Sequence, residues 1–196
     1  MQESEFGFRK MKIPYFTYKF SAIIILMVII TGFDISSEIK YPEKKVNKQI
    51  SKTFDIDNFE LKLLDGSDLN NHLRIFDINI KNYEIGNLII NRVFSCREGG
   101  CSADINYTHT DNFEYFDYFM ILDTNGTVLV TNIYNYQATK GHEVMSRGWL
   151  KQFNGHKGNN QLNYGKEIDA ISGATISATA FVEEVKYVTK TLAELK

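Results

Sequence analysis

The stretch EYFDYFMILDTNGTVLVTNIYNY, residues 114–136, limits the fold more than any other part of the sequence. Two runs rich in β-branched and aromatic residues flank Asn125-Gly126, and both residues tolerate the positive φ angles of a tight turn. Apolar side chains occupy both faces of the first run: Phe116, Tyr118, Met120 and Leu122 on one, Phe119 and Ile121 on the other. We therefore predict a β-hairpin that is central in a sheet and covered on both sides.

Helical periodicity appears on both sides of this hairpin. Apolar residues recur at helical spacing in three segments: Val46, Ile50 and Phe54; Met145, Trp149 and Phe153; Phe181, Val185, Val188, Leu192 and Leu195. Each stripe predicts a helix that buries one face, and the last helix is expected to start at about Ile176. A strand is expected from Tyr83 onward, whereas residues 59–82 give no clear assignment. The predicted fold class is α+β, an antiparallel sheet with packed helices.

The N-terminal region predicts a membrane anchor. Residues 20–33 carry no charge, and extension back to Pro14 gives twenty residues in which Lys19 is the only charge. About 20 apolar residues are needed to cross a bilayer, and Lys19 can snorkel to the headgroups. Three further basic residues precede this run: Arg9, Lys10 and Lys12. The positive-inside rule then leaves the N-terminus in the cytoplasm and the rest on the periplasmic side of the inner membrane.

A cleaved signal peptide is the alternative, because the apolar run also has the length of an h-region. We favour the uncleaved anchor, since no A-x-A-like pair precedes Asp34. Either alternative exports the remainder of the chain. The predicted organisation is a cytoplasmic basic tail (1–13), a single transmembrane or signal-anchor helix (14–33), a juxtamembrane part (34–82) and the main exported domain (83–196).

The charge balance argues against a nucleic-acid partner. The formal net charge is −2 and the sequence pI about 6.1, so there is no basic excess to neutralise phosphates.

The two cysteines, Cys96 and Cys101, lie close together in CREGGC. In an exported protein such a pair predicts a local disulfide, and Gly99-Gly100 would let the chain fold back far enough. A redox-active dithiol is the alternative. A zinc site would need two more ligands, and none is predicted.

Hydroxyl groups crowd the start of the last predicted helix, in EIDAISGATISATAFVEEV. Ser172 or Thr175 could be its N-cap, but capping needs one oxygen and explains neither Gly173 nor Ala174. Small residues allow a bulky group to approach the backbone. The N–H groups and positive dipole end of a helix N-terminus favour an anion, so a hydroxyl there is well placed to carry a phosphate ester.

The stretch Asp169-Ala170-Ile171-Ser172-Gly173-Ala174-Thr175 resembles the flavinylation motif of the FMN-binding domain family. In that family the Thr of the GAT triplet is joined to FMN by a phosphoester bond, which a separate flavin transferase makes from FAD with release of AMP. The resemblance implies covalent FMN on Thr175. It also implies that Asp169 is the leading acid of the motif, and that Ser172, Gly173 and Ala174 line the phosphate end.

The resemblance extends over about residues 83–192 and includes a turn before a W-L-x-x-F helix. The family commonly has an E-T-P-G-type turn, whereas this chain has Ala138-Thr139-Lys140-Gly141. Candidate flavin contacts in and after this turn are Thr139, Gly141, His142 and Glu143. We interpret Trp149 as a core residue, because its apolar stripe already accounts for it.

The resemblance implies a membrane-anchored flavoprotein that exchanges electrons with a redox partner protein or complex. FMN would supply the redox chemistry, while the protein supplies position and electrostatics. No nucleophile–base set is evident, so no acid–base catalysis of its own is predicted. Two alternatives stay open: a sensory or regulatory FMN-binding module, and a flavin-linked dithiol protein that uses Cys96 and Cys101.

Overall fold

The computed structural model describes residues 39–64, 72–97 and 113–196. Their centre is a five-stranded antiparallel sheet in which the strands follow chain order, β1-β2-β3-β4-β5. The strands are β1 (Glu60–Leu63), β2 (Arg74–Ile80), β3 (Tyr83–Arg97), β4 (Phe113–Asp123) and β5 (Val128–Tyr136). The predicted hairpin is present as β4 and β5. It is not central, because β4 is an interior strand and β5 forms one edge of the sheet.

Among the described residues, three α-helices accompany the sheet: α1 (Glu43–Phe54), α2 (Arg147–Leu150) and α3 (Thr175–Leu195). Two 3₁₀ turns, His142–Met145 and Lys151–Phe153, flank α2. The predicted α+β class is therefore confirmed, as are the helices built on the first and last apolar stripes. The bounds of α3 differ by one residue from the predicted start.

Both faces of the sheet are buried, as predicted for the hairpin. One face packs on the stripe of α3, with Phe116, Tyr118, Met120 and Leu122 of β4 in the same core as Phe181 and Val185. The opposite face packs on α1, with Phe119 and Ile121 in a second core with Val46 and Ile50. Because side chains alternate along a strand, β4 contributes to both cores.

Polar side chains form two hydrogen-bonded clusters, one within the sheet around Asp117 and one between the sheet and α3 at Glu184. The Arg92 guanidinium donates to both carboxylate oxygens of buried Asp117 (2.7 and 3.1 Å), and Asn135 donates to the same carboxylate at 2.7 Å. On the α3 face, Asn91 donates to Glu184 at 2.5 Å. Since buried carboxylates are costly without donors, these bonds fix how the helices and strands align.

The helix predicted from the stripe of Met145, Trp149 and Phe153 is not continuous: helical turns are present around Trp149 and Phe153, but Met145 belongs to a separate turn. The chain there forms the two 3₁₀ turns and the single turn α2, broken at Ser146, which is extended (φ −65°, ψ 132°). Trp149 and Phe153 are buried as the stripe predicted, but Met145 is 36% exposed and Val144 is buried in its place. The break rotates the first turn relative to the second, so the two do not share one stripe.

The turn chemistry also differs from the prediction. In the β4–β5 turn only Gly126 has positive φ (73°), and Asp123 Oδ1 accepts hydrogen bonds from the N–H groups of Asn125 and Thr127. The two-residue turn with positive φ at both positions lies elsewhere, at Lys81-Asn82 between β2 and β3.

Several predictions fall on residues outside the described part of the chain. These are the anchor at 14–33, Cys101, and the side chain of Cys96, whose backbone lies in β3. Within residues 39–64, 72–97 and 113–196, no helix combines the length and apolar character needed to cross a bilayer.

Candidate functional site

The hydroxyls at the start of α3 do not cap the helix. The N-cap is Ala174, which makes no side-chain cap bond, and Thr175 is the first helical residue. Thr175 and Ser172 are exposed, and neither hydroxyl has a hydrogen-bond partner among the described residues. The first N–H groups of any α-helix lack intrahelical acceptors, so free hydroxyls and free donors occur together here.

Gly173 opens space beside these groups. Its φ of 82° lies in the left-handed region that favours glycine. A Cβ built at this position would meet only Glu143 Oε1, at 3.8 Å. Ala174, by contrast, is buried. The turn therefore places Glu143 near the small residues of the motif while leaving the outer side of Gly173 open.

Ser177 fastens the first turn of α3 to the sheet. Its buried Oγ lies 2.9 Å from the Ser95 hydroxyl on β3 and 3.1 Å from the Tyr136 hydroxyl on β5. Gly141 packs on the same side chain, since a Cβ there would lie 2.6 Å from Ser177 Oγ. Ser177 is therefore used in packing, whereas Thr175, half a turn away, is directed to the surface.

The turn at 139–143 is held over Tyr136. The Tyr136 hydroxyl donates to the Lys140 carbonyl at 2.6 Å, and its ring lies 4.5 Å from the His142 ring, centroid to centroid. Burial raises the pKa of Tyr136, which keeps the hydroxyl protonated as a donor. Thr139 instead donates to Glu114 at 2.6 Å. The structure thus places Glu143 near Gly173 of the motif and Gly141 against Ser177, whereas His142 packs on Tyr136 and Thr139 bonds to Glu114.

Backbone contacts hold the leading part of the motif. The Asp169 carbonyl accepts from Trp149 Nε1 (2.9 Å), and the Asp169 N–H donates to Gln152 Oε1 (2.8 Å). Tyr164 binds both polar groups of the Ile171 backbone, at 2.8 and 3.3 Å. The Asp169 side chain is exposed. Trp149 is 4% exposed and packs on Phe153 and Phe181, so it positions the loop from the core.

Apolar surface borders the motif. Ile176, next to Thr175, is 46% exposed, and Met145, at the end of the 3₁₀ turn that carries Glu143, is 36% exposed. Exposed large apolar side chains are suited to cover a planar ring. Together with the open side of Gly173 and the hydroxyls of Ser172 and Thr175, they give the candidate site both apolar and polar surface.

Residues 116–190, from β4 into α3, match the family model of the FMN-binding domain. The chain contains an FMN-binding domain. The matched segment includes every residue that the sequence predicts for the FMN site, from Thr139 to Thr175. Curated proteins gave no match. The matched segment starts inside the sheet, so β1, β2 and β3 lie outside it, and β3 pairs directly with the matched strand β4.

Several residues of the FMN-binding domain that support the candidate site were not predicted from the sequence. Tyr136, Gln152 and Tyr164 hold the motif through hydrogen bonds across 7 to 41 positions of sequence. No local pattern marks such contacts. The aromatic-rich NIYNY at the end of β5 was the one available signal for Tyr136. Ser95, outside the matched segment, has no signal at all, because its role depends on strand pairing.

Proposed function

We propose that this protein is an electron carrier in which FMN is joined by a phosphoester bond to Thr175. The observation that carries the proposal is the exposed Thr175 hydroxyl at the first position of α3, which has no hydrogen-bond partner in the described part of the chain. A hydroxyl needed for capping or packing would be engaged, as Ser177 is. Thr175 has neither role, and its position beside free N–H donors suits a phosphate group.

The attachment step requires FAD and a flavin transferase. Thr175 Oγ1 would form a bond to the phosphorus on the FMN side of FAD, and the phosphoanhydride bond of FAD would break. AMP leaves with the anhydride oxygen, and the hydroxyl proton is released to solvent. No oxidant or reductant is consumed.

The chain's own residues then hold the attached group. The first-turn N–H groups of α3 would bind the phosphate oxygens, and the open side of Gly173 would admit them near the backbone. Ile176 and Met145 would cover part of the ring and exclude water from that side. His142 and Glu143, on the neighbouring turn, would contact the polar edge. When bound, FMN accepts and passes on electrons.

Electron transfer, rather than independent catalysis, suits the described site. Ser177 bonds to Ser95 and Tyr136, Ser172 has no hydrogen-bond partner among the described residues, and the His142 ring packs at a tilt of 40° on the Tyr136 ring. The redox partner would be a protein or complex that approaches the exposed N-terminal end of α3. An N-terminal anchor at 14–33, as predicted from the sequence, would keep the flavin on the periplasmic side, where a covalent bond prevents its loss.

Acid precipitation of protein from the native membrane tests this proposal. A covalent flavin stays with the pellet and keeps its yellow absorbance, because unfolding does not break an ester. A reversibly bound flavin, expected of a sensory module, appears in the supernatant. Flavin found only in the supernatant would contradict the covalent assignment while leaving FMN binding intact.

A further inference from the structure

A cavity of about 410 Å³ lies apart from the FMN motif. Its walls come from α1, from the edge strand β5 and from the α2 region. No residue of the motif 169–175 lines it. The volume is in the range of small-molecule sites.

The cavity is strongly basic. Four cationic residues line its open rim, all of them exposed, and no acidic residue does: Lys45, Lys52, Arg147 and Lys151. None of the four forms an ion pair within the described ranges of the chain. The whole chain carries a net charge of −2, so this concentration of positive charge is local.

The placement of Lys45 is not explained by helix stability. It lies in the first turn of α1, where the helix dipole disfavours a cation. Burial and the neighbouring Arg147 both lower the pKa of Lys45. Two cations held near each other without a counter-charge are stabilised by a bound anion.

Buried polar atoms in the wall lack partners. Thr131 is 7% exposed, and its Oγ1 has no hydrogen-bond partner among the described residues; Asn132 Oδ1 is also buried and unpaired there. Both residues line the cavity. A buried hydroxyl without a partner is unfavourable, and a ligand oxygen would restore the lost bond.

We propose that this cavity binds a small molecule with a multiply charged phosphate group, such as a diphosphate ester. Arginine and lysine provide the donors that phosphate oxygens take, Thr131 adds a neutral donor, and Gln49 and Asn132 supply amide groups for the rest of the ligand. Because α2 also carries Trp149, which bonds to Asp169, occupancy would support the segment that positions the FMN motif.

Isothermal titration of the full-length chain in detergent with inorganic pyrophosphate tests the proposal. The Lys45→Gln/Arg147→Gln variant should bind pyrophosphate about tenfold more weakly or worse, because two charge-assisted contacts are lost. The matched control is Lys44→Gln/Lys48→Gln, which removes the same charge from exposed positions of α1 that do not line the cavity. Its affinity should change less than about twofold.

Three results would overturn the proposal. They are the absence of pyrophosphate binding to the natural sequence, equal weakening in the control variant, and citrate binding as tight as pyrophosphate. The circular dichroism of each variant checks its fold. If Lys45→Gln/Arg147→Gln does not fold, Thr131→Val is titrated instead; it should weaken pyrophosphate binding severalfold, and unchanged binding would reject the site.

Discussion

The Ser177 Oγ lies 3.1 Å from the Tyr136 hydroxyl and joins the first turn of α3 to the end of β5. The same Tyr136 hydroxyl donates to the Lys140 carbonyl. One phenol therefore sets the position of both the flavin-attachment turn and the turn that carries His142 and Glu143.

Replacement of Tyr136 by Phe should separate the hydrogen bonds from the ring packing. The ring stacks on Phe116 at 5.3 Å and would remain. We expect a loss of about 1–2 kcal/mol in the free energy of unfolding, because two hydrogen bonds disappear, a part-buried one to Ser177 and an exposed one to the Lys140 carbonyl. Urea denaturation measures this loss. Tyr187→Phe, at a 47% exposed position of α3, is the control and should change stability by less than about 0.5 kcal/mol.

Gly141→Ala should destabilise the protein through two separate effects. The left-handed conformation (φ 88°) costs an alanine about 1–2 kcal/mol, and the new Cβ would collide with Ser177 Oγ, which adds about 1–3 kcal/mol. Gly155→Ala isolates the first effect, because Gly155 has nearly the same φ (87°) and nothing within 4 Å of a Cβ. Equal losses of unfolding free energy in the two variants would show that a Cβ at position 141 does not collide with Ser177 Oγ.

Glu184 gives a prediction about pH. Burial raises its pKa above the ordinary value, despite hydrogen bonds from Asn91 and Tyr118 that favour the ionised form. Its contribution to stability is therefore fully present below the unfolded pKa of about 4.3 and is lost as pH rises through the folded pKa. Glu184→Gln should be more stable than the natural sequence at pH 7, and the difference should shrink towards pH 4. A difference that grows on acidification would contradict this.

Trp149→Phe should impair flavin attachment more than it impairs folding. The substitution keeps an aromatic ring in the core but removes the donor to the Asp169 carbonyl, which is near the surface and can bond to water instead. We expect about 1–2 kcal/mol of lost stability from the smaller ring and slower attachment of FMN. The flavinylated fraction after brief coexpression with a flavin transferase measures the second effect; an unchanged fraction would show that the bond does not position the motif.

The long periodic elements were predictable from the sequence, because their stripes reflect one buried face. The α3 stripe that includes Phe181 and Val188 is an example, as is α1 with Val46 and Ile50. The segment 142–153 was not predictable in the same way. Its apolar residues have helical spacing but do not form one helix, because Val144 and Trp149 lie in the core on two separate turns.

In the candidate site, too, some residues were predictable from the sequence and others were not. Thr175 and the small residues before it are contiguous, so a motif carries them. Three other residues come into contact because the last residues of β3 and β5 lie beside the first turn of α3: Ser95, Tyr136 and Ser177. Such a cluster depends on strand pairing, and a single sequence does not reveal the pairing register.

Intact mass spectrometry of Thr175→Val tests the central assignment most directly. Thr175 is exposed, so the substitution should alter stability by less than about 0.5 kcal/mol. The variant and a Thr179→Val control, also at an exposed position of α3, are each coexpressed with a flavin transferase. We predict that Thr175→Val has only its polypeptide mass, whereas Thr179→Val and the natural sequence gain the mass of one esterified FMN. An FMN adduct on Thr175→Val would contradict the assignment.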